Sequence, residues 1–327
     1  MKHLYVIGNG FDCHHRINSS YNSFYKFLLE YHSDLLCEVD DILGDCHIDW
    51  WSDFENKLGE LNIYFVAGKI ADENRPDLSS DHCDRTWNDA EIEIETDKIL
   101  EDLFERVIGT FHEWILQLNK PVPELRLNIE TVNSIFLTFN YTKTLENLYG
   151  VNPRNILHIH GCVDDLYDGN TEEFILGHGK NKSEIEALND YDPTIPKGLS
   201  DEDLLEYLME IAANVEFHEQ LARDAAVSQL SRLRKPVERI IQSKISFFEC
   251  LSDIDIVHVY GFSFSQIDEP YMAKIAVKLN NVEWEISDYN NSNYNKILDF
   301  VSRYNIPAFK IINLEDIIDR RQLKFDF

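Results

Sequence analysis

Positive charge is scarce in this chain of 327 residues: 30 Lys and Arg stand against 59 Asp and Glu, a formal net charge of -29. A surface that negative repels polyphosphate, so nucleic acid is not an expected partner. Long apolar runs are lacking as well. None approaches the roughly 20 residues that a membrane-spanning helix needs, and no membrane contact is expected. Near the start, the apolar run Leu4 to Ile7 is followed by two glycines and is too short for the core of a signal peptide, so a cytoplasmic location is expected. Cys13, Cys37, Cys46, Cys83, Cys162 and Cys250 contain no CxxC pair. Neither a disulfide framework nor a thiol-rich zinc site is therefore indicated, and a reducing compartment fits. Internal repeats, low-complexity tracts and an obvious interdomain linker are also missing, which leaves one elaborated domain over residues 1–327 as the simplest organisation.

What is present reads as an α/β chain. Leu4 to Ile7 is a short β-rich run ended by glycines, and Tyr21 to Leu29 has helical apolar spacing, so the order is strand, loop, helix. A large helical insertion follows at about residues 40–130, in which Ile99, Leu103, Val107, Phe111, Trp114 and Leu118 recur at steps of three or four and form a core-facing stripe. Pro76 to Asp89 is polar and turn-rich and reads as a connection between helices. Short strands are expected at Asn133 to Phe139, Ile156 to His160 and Phe174 to Leu176. A helical segment spans about 200–252, opened by a capping box from Ser200 to Asp203 and closed by a long helix ending near Cys250. Ile254 to Tyr260 is a nearly continuous apolar run of the buried parallel type, and Val282 to Ile286 and Ala308 to Ile312 repeat it around helical sequence. The expected fold is a doubly wound, mostly parallel sheet with the helical insertion placed after its first unit.

Four strand ends carry residues with chemistry. Gly8-Asn9-Gly10 follows the first strand, where a doubly wound sheet places its ligand crevice, although the spacing differs from GxGxxG. Glycines there let backbone approach a pyrophosphate or simply make a turn, and Asp12 bonds a ligand hydroxyl or caps the next helix. Thr138-Phe139-Asn140-Tyr141-Thr142 ends another strand; Asn140 and Thr142 either orient a ligand or cap a helix. His158-Ile159-His160-Gly161 puts two histidines on one face if the strand continues, and His160 beside Gly161 suits a general base. The alternatives are half-buried structural histidines, or a metal site in which His158 and His160 join His178 and Asp164. His14 and His15 beside Cys13 suggest a metal more weakly, because adjacent residues seldom converge on one ion. Gly261-Phe262-Ser263-Phe264-Ser265 follows the late buried strand, with Asp268-Glu269-Pro270 opening the next helix.

Taken in order, IGNGFD with SSYNSFYKFL, WWSDFENKL from Trp50 to Leu58, TFNYTKTLE, ILHIHG, ILGHG and YGFSFSQID resemble the AbiH family of bacterial abortive-infection, or phage-defence, proteins over most of the chain. A looser likeness to the sirtuin-like NAD-binding fold rests on IGNGFD, FNYT, HIHG and GFSFS. That likeness implies Asn140 and His160 as the catalytic pair, with Gly8, Asn9, Gly10, Asp12, Thr138, Gly161, Gly261 and Ser263 lining an NAD site. Asn9 replaces a small residue of the sirtuin loop, and the sirtuin zinc module and peptide-binding segment have no counterpart. The resemblance therefore implies hydrolysis of NAD to nicotinamide and ADP-ribose rather than protein deacetylation. NAD or ADP-ribose is the expected ligand, no metal is expected, and a homo-oligomer or a defence-system partner protein is the expected means of control.

Overall fold

The computed structural model describes residues 1–44, 46–73, 85–167, 174–189, 200 and 217–319. Six strands, β1 (His3–Ile7), β2 (Ser134–Thr138), β3 (Ile156–His158), β4 (Ile256–Tyr260), β5 (Glu283–Ser287) and β6 (Phe309–Ile312), form one sheet in the order β3-β2-β1-β4-β5-β6. Every pairing is parallel. The chain thus winds outward from β1 in one direction and from β4 in the other, the doubly wound arrangement that the apolar runs foretold.

Alternation along the strands explains why both faces are covered. Leu4, Val6, Leu137, Val257, Val259, Trp284 and Ile286 enter one core with helices Glu269–Leu279 and Tyr294–Arg303. Tyr5, Ile7, Phe136 and Tyr260 enter the other, with Phe11, Leu145 and Tyr149 from helices Asn9–His14 and Thr144–Tyr149. Period two therefore splits β1, β2 and β4 between two apolar layers, while the second face of β5 carries Glu283, Glu285 and Ser287.

Contacts divide the chain into two compact units: Met1–Phe24, Phe111–Leu176 and Lys235–Phe327 in the first, Tyr25–Thr110 and Gly177–Arg234 in the second. The first holds the sheet. In the second, helices Ile63–Glu73 and Phe217–Arg232 pack together, with Ala67, Ala71, Ile92 and Ala222 at their core. Small side chains at these positions let helix axes approach closely. Trp51 is fully buried there and stacks on Phe54 at 5.1 Å. No helix among the described residues is long and apolar enough to cross a membrane.

Several local expectations change. The Gly8 to Asp12 loop is mostly helix, because the chain begins to coil at Asn9 and leaves Gly8 as its cap. β3 stops at His158, and Phe174 to Leu176 forms no strand; it is anchored instead by Ile175 N–H to the His160 carbonyl and by the Tyr141 hydroxyl to the Ile175 carbonyl. The long helix ending near Cys250 is three helices, Phe217–Arg232, Val237–Ser243 and Ile245–Glu249. Pro236 forces that first break, since it lacks an N–H and excludes helical backbone at the residue before it. The apolar stripe holds, with Leu103, Val107, Phe111 and Trp114 buried in helix Arg85–Leu116, while Ile99 and Leu118 at the two ends of the stripe are only half-buried. Of the turn-rich connection from Pro76 to Asp89, residues 76–84 lie outside the described residues and Arg85 already starts the helix, which Ile92 anchors in the core. The capping box from Ser200 to Asp203 also falls outside the described residues beyond Ser200.

Candidate functional site

In the first unit, the winding reverses between β1 and β4, and the loops leaving these two strands touch through glycine. A Cβ on Gly261 would lie 2.0 Å from the Phe11 nitrogen, and one on Gly8 2.6 Å from the Gly261 oxygen. Gly261 also holds φ at +66°, a conformation that an added side chain strains. Gly8 N–H donates to the Tyr260 carbonyl, Gly10 N–H to the Gly261 carbonyl and Phe11 N–H to the Gly8 carbonyl. Gly261 N–H donates to Ser287 Oγ at 2.8 Å. These donors are engaged within the protein, so the glycines serve first to seam the β1 and β4 ends together. Asn9 is engaged too: its amide donates to the Ser19 carbonyl and accepts from the Ser19 hydroxyl. Ser263 is exposed on the β4 loop, and Phe264 beside it takes φ of +52°.

Asp12 is buried, and its carboxylate ties the end of β1 to the end of β2. Oδ2 accepts from Thr142 Oγ1 at 2.5 Å and Oδ1 from Thr144 Oγ1 at 2.8 Å. Burial pushes its carboxyl up to about 6 against the pull of the two hydroxyls; the Asn140 amide pulls with them while falling short of hydrogen-bond geometry.

Thr138 pairs with His158 across β2 and β3, so Asn140 and His160 leave neighbouring strands at matching positions. Their surroundings differ from those of the glycines. The Asn140 backbone N–H is held by Thr138 Oγ1 at 3.1 Å, yet both amide atoms of its side chain are buried without a hydrogen-bond partner. His160 is 3 % exposed, lies edge-on to Phe139 and Tyr271, and its Nε2 also has no hydrogen-bond partner. Gly161 then turns the chain at φ of +84°. Burial, and secondarily the Lys235 ammonium, hold His160 well below the ordinary histidine range. It is a neutral imidazole at pH 7, the form a base requires.

A metal centre from the histidines does not assemble. His158 and His160 diverge: the two ring nitrogens of His158 face acceptors, the Asn140 carbonyl and Glu146 Oε1. Asp164 pairs with Lys143. His178 belongs to the second unit, where Nε2 donates to the Leu230 carbonyl and Nδ1 accepts from Lys180 N–H. His15 spans the Phe11 carbonyl and the Tyr149 hydroxyl, and His14 bonds the Leu125 carbonyl. Among the described residues no group of three His, Cys, Asp or Glu side chains is placed to hold a metal ion.

Two residues near His160 escaped sequence reasoning. Lys235 is 2 % exposed, and Asp268 lies between it and His160, at 3.9 Å from Nζ and 3.6 Å from Nε2. Asp268 reads as a helix opener, and Lys235 had only its place before Pro236 as a signal. Nothing local shows that a lysine will be buried.

Among known proteins, a family model described as "Bacteriophage abortive infection AbiH" matches residues 4–288. Neither curated proteins nor solved structures give a match. The matched span runs from the first residue of the β1 apolar run to the acid that follows β5, and so contains the glycine seam, Asn140, His160 and Asp268. The chain belongs to the AbiH family, whose role is bacteriophage abortive infection.

Proposed function

We propose that the protein acts in abortive infection by binding NAD at the ends of β2 and β3 and hydrolysing it to nicotinamide and ADP-ribose. The single observation that carries this reading is the Asn140 amide, a buried donor and acceptor with neither atom hydrogen-bonded. A buried polar group left in that state costs about 1–3 kcal/mol, so its presence calls for a ligand that supplies both an acceptor and a donor. The vicinal hydroxyls of a ribose supply both.

The chemistry then follows from the neighbouring base. Asn140 orients the nicotinamide ribose, and neutral His160 accepts a proton from a ribose hydroxyl or from the attacking water. The glycosidic bond breaks with its electron pair passing to nicotinamide, which discharges the positive ring; water supplies the new hydroxyl, and the proton leaves through His160. Gly8, Gly10 and Gly261 keep the adjoining wall in place, since their N–H groups are already engaged. Because the Asn140 amide and His160 Nε2 are buried, NAD reaches them in an opened form, which the purified chain itself samples and which, we propose, a defence partner or self-assembly populates further.

Incubating the purified protein with NAD and following nicotinamide release by chromatography tests the reading. Asn140→Ala and His160→Ala are each expected to lower the rate by about 100-fold or more. Wild type releasing nicotinamide no faster than either variant overturns hydrolysis. Calorimetric binding of NAD without product would leave a nucleotide sensor in its place.

A further inference from the structure

Asp268 stands at the N-terminal cap of helix Glu269–Leu279, where an aspartate ordinarily bonds a backbone N–H of the first turn. It makes no such bond. Its Oδ1 lies instead 3.6 Å from His160 Nε2 and 3.9 Å from Lys235 Nζ, with the His160 and Lys235 side chains almost wholly buried. The three groups come from three separate parts of the chain: the turn after β3, the residue before Pro236 and the segment after β4. A base whose ring is held by a carboxylate, with a counter-ion behind it, is the arrangement by which a histidine is fixed in one tautomer.

We propose that Asp268 is the positioning residue for His160: its carboxylate holds the imidazole in the Nε2–H tautomer, Nδ1 is left as the basic nitrogen, and Lys235 keeps the carboxylate ionised. This rests on the reading of His160 as the base of NAD hydrolysis. A neutral imidazole has one N–H, and facing a carboxylate, which only accepts, the nitrogen at that side takes the proton. A buried carboxylate without a counter-charge would take up a proton and become a donor, reversing the tautomer; the ammonium of Lys235 prevents this. When Nδ1 accepts a proton from water or a ribose hydroxyl, the imidazolium formed faces the Asp268 carboxylate, which stabilises the charge and accepts no proton. The 3.6 Å separation lies just beyond hydrogen-bond range, as is common for catalytic pairs before substrate closes on them.

The test is the tautomer itself. The full chain is labelled with 15N-histidine, the His160 signals are identified by comparison with His160→Gln, and the ring nitrogens are read at pH 7. Protonated Nε2 with unprotonated Nδ1 is expected in the wild type, a mixture in Asp268→Ala, and the Nδ1–H form in Lys235→Met. An Nδ1–H ring or an imidazolium in the wild type overturns the proposal, as does an unchanged tautomer in a folded Asp268→Ala. If the variants fail to fold, the wild-type spectrum still decides. In the same preparation, Asp268→Asn is expected to lower kcat for nicotinamide release about 100-fold with KM within about threefold, and Asp268→Glu to restore part of it. Wild type that shows the Nε2–H ring and leaves NAD intact defeats the function and not the pair; turnover with the opposite tautomer defeats the pair and not the function.

Discussion

Two stretches of the same sheet edge behave in opposite ways. At the β1–β4 junction, Gly8, Gly10 and Gly261 press backbone against backbone, and their own N–H groups already donate within the protein. At the β2–β3 ends, a few residues away along the edge, Asn140 and His160 keep buried polar atoms without hydrogen bonds. The first stretch meets its hydrogen-bonding needs internally, and the second leaves three buried side-chain atoms without a hydrogen-bond partner. A motif that looks like a phosphate loop in sequence can therefore be a rigid backbone seam, while unsatisfied polar groups lie at the ends of the neighbouring strands.

Substitutions can break or sharpen that contrast. The largest effect is expected from Gly261→Ala, whose Cβ would lie 2.0 Å from the Phe11 nitrogen with φ at +66°; a loss of more than about 4 kcal/mol in chemical denaturation, or no folded protein, is expected. Retained stability would show that the seam tolerates opening. Next comes the tie between the two stretches. Burial raises the Asp12 carboxyl from 3.8 to about 6, so its folded value lies above its unfolded one. Its contribution is fully present below about pH 4 and is lost as pH rises through 6, amounting to up to about 3 kcal/mol. Urea titrations at pH 4 and pH 7 should show Asp12→Asn gaining on the wild type as pH rises; a constant difference counts against a buried, uncompensated carboxyl.

Smaller and of opposite sign is Asn140→Leu. With no hydrogen bond to lose from the side chain, the apolar replacement should raise stability by about 1 kcal/mol while nicotinamide release disappears. A large destabilisation would mean that the amide is structural. The smallest change is expected for Asn9→Ala, which removes an exposed latch to Ser19 and should cost under about 1 kcal/mol. NAD affinity measured by calorimetry should stay within about twofold, because that amide is already engaged.

The sheet is largely legible in the sequence. Continuous apolar runs such as Ile254 to Tyr260 mark buried parallel strands whatever surrounds them, and Asn140 directly follows the expected strand Asn133 to Phe139, whereas the expected strand Ile156 to His160 ends two residues early, at His158. Boundaries set by non-local bonds were not legible. Phe174 to Leu176 has strand-like composition, yet its backbone bonds the His160 turn and a tyrosine hydroxyl instead of a neighbouring strand. Asn9 begins a helix because the loop after β4 fixes Gly8, and no residue between them announces it.

Periodicity and glycine placement alone settled that the chain is doubly wound, because that pattern depends on side chains close in sequence. The company kept by each polar group was settled only by folding. Lys235, Asp268 and His160 are far apart along the chain and meet only in the folded protein, where Asp268 Oδ1 lies within 4 Å of both other groups. Burial, counter-charge and unmet hydrogen bonds are properties of three-dimensional neighbourhoods, and they separate a glycine that seams two loops from an asparagine whose buried amide makes no hydrogen bond.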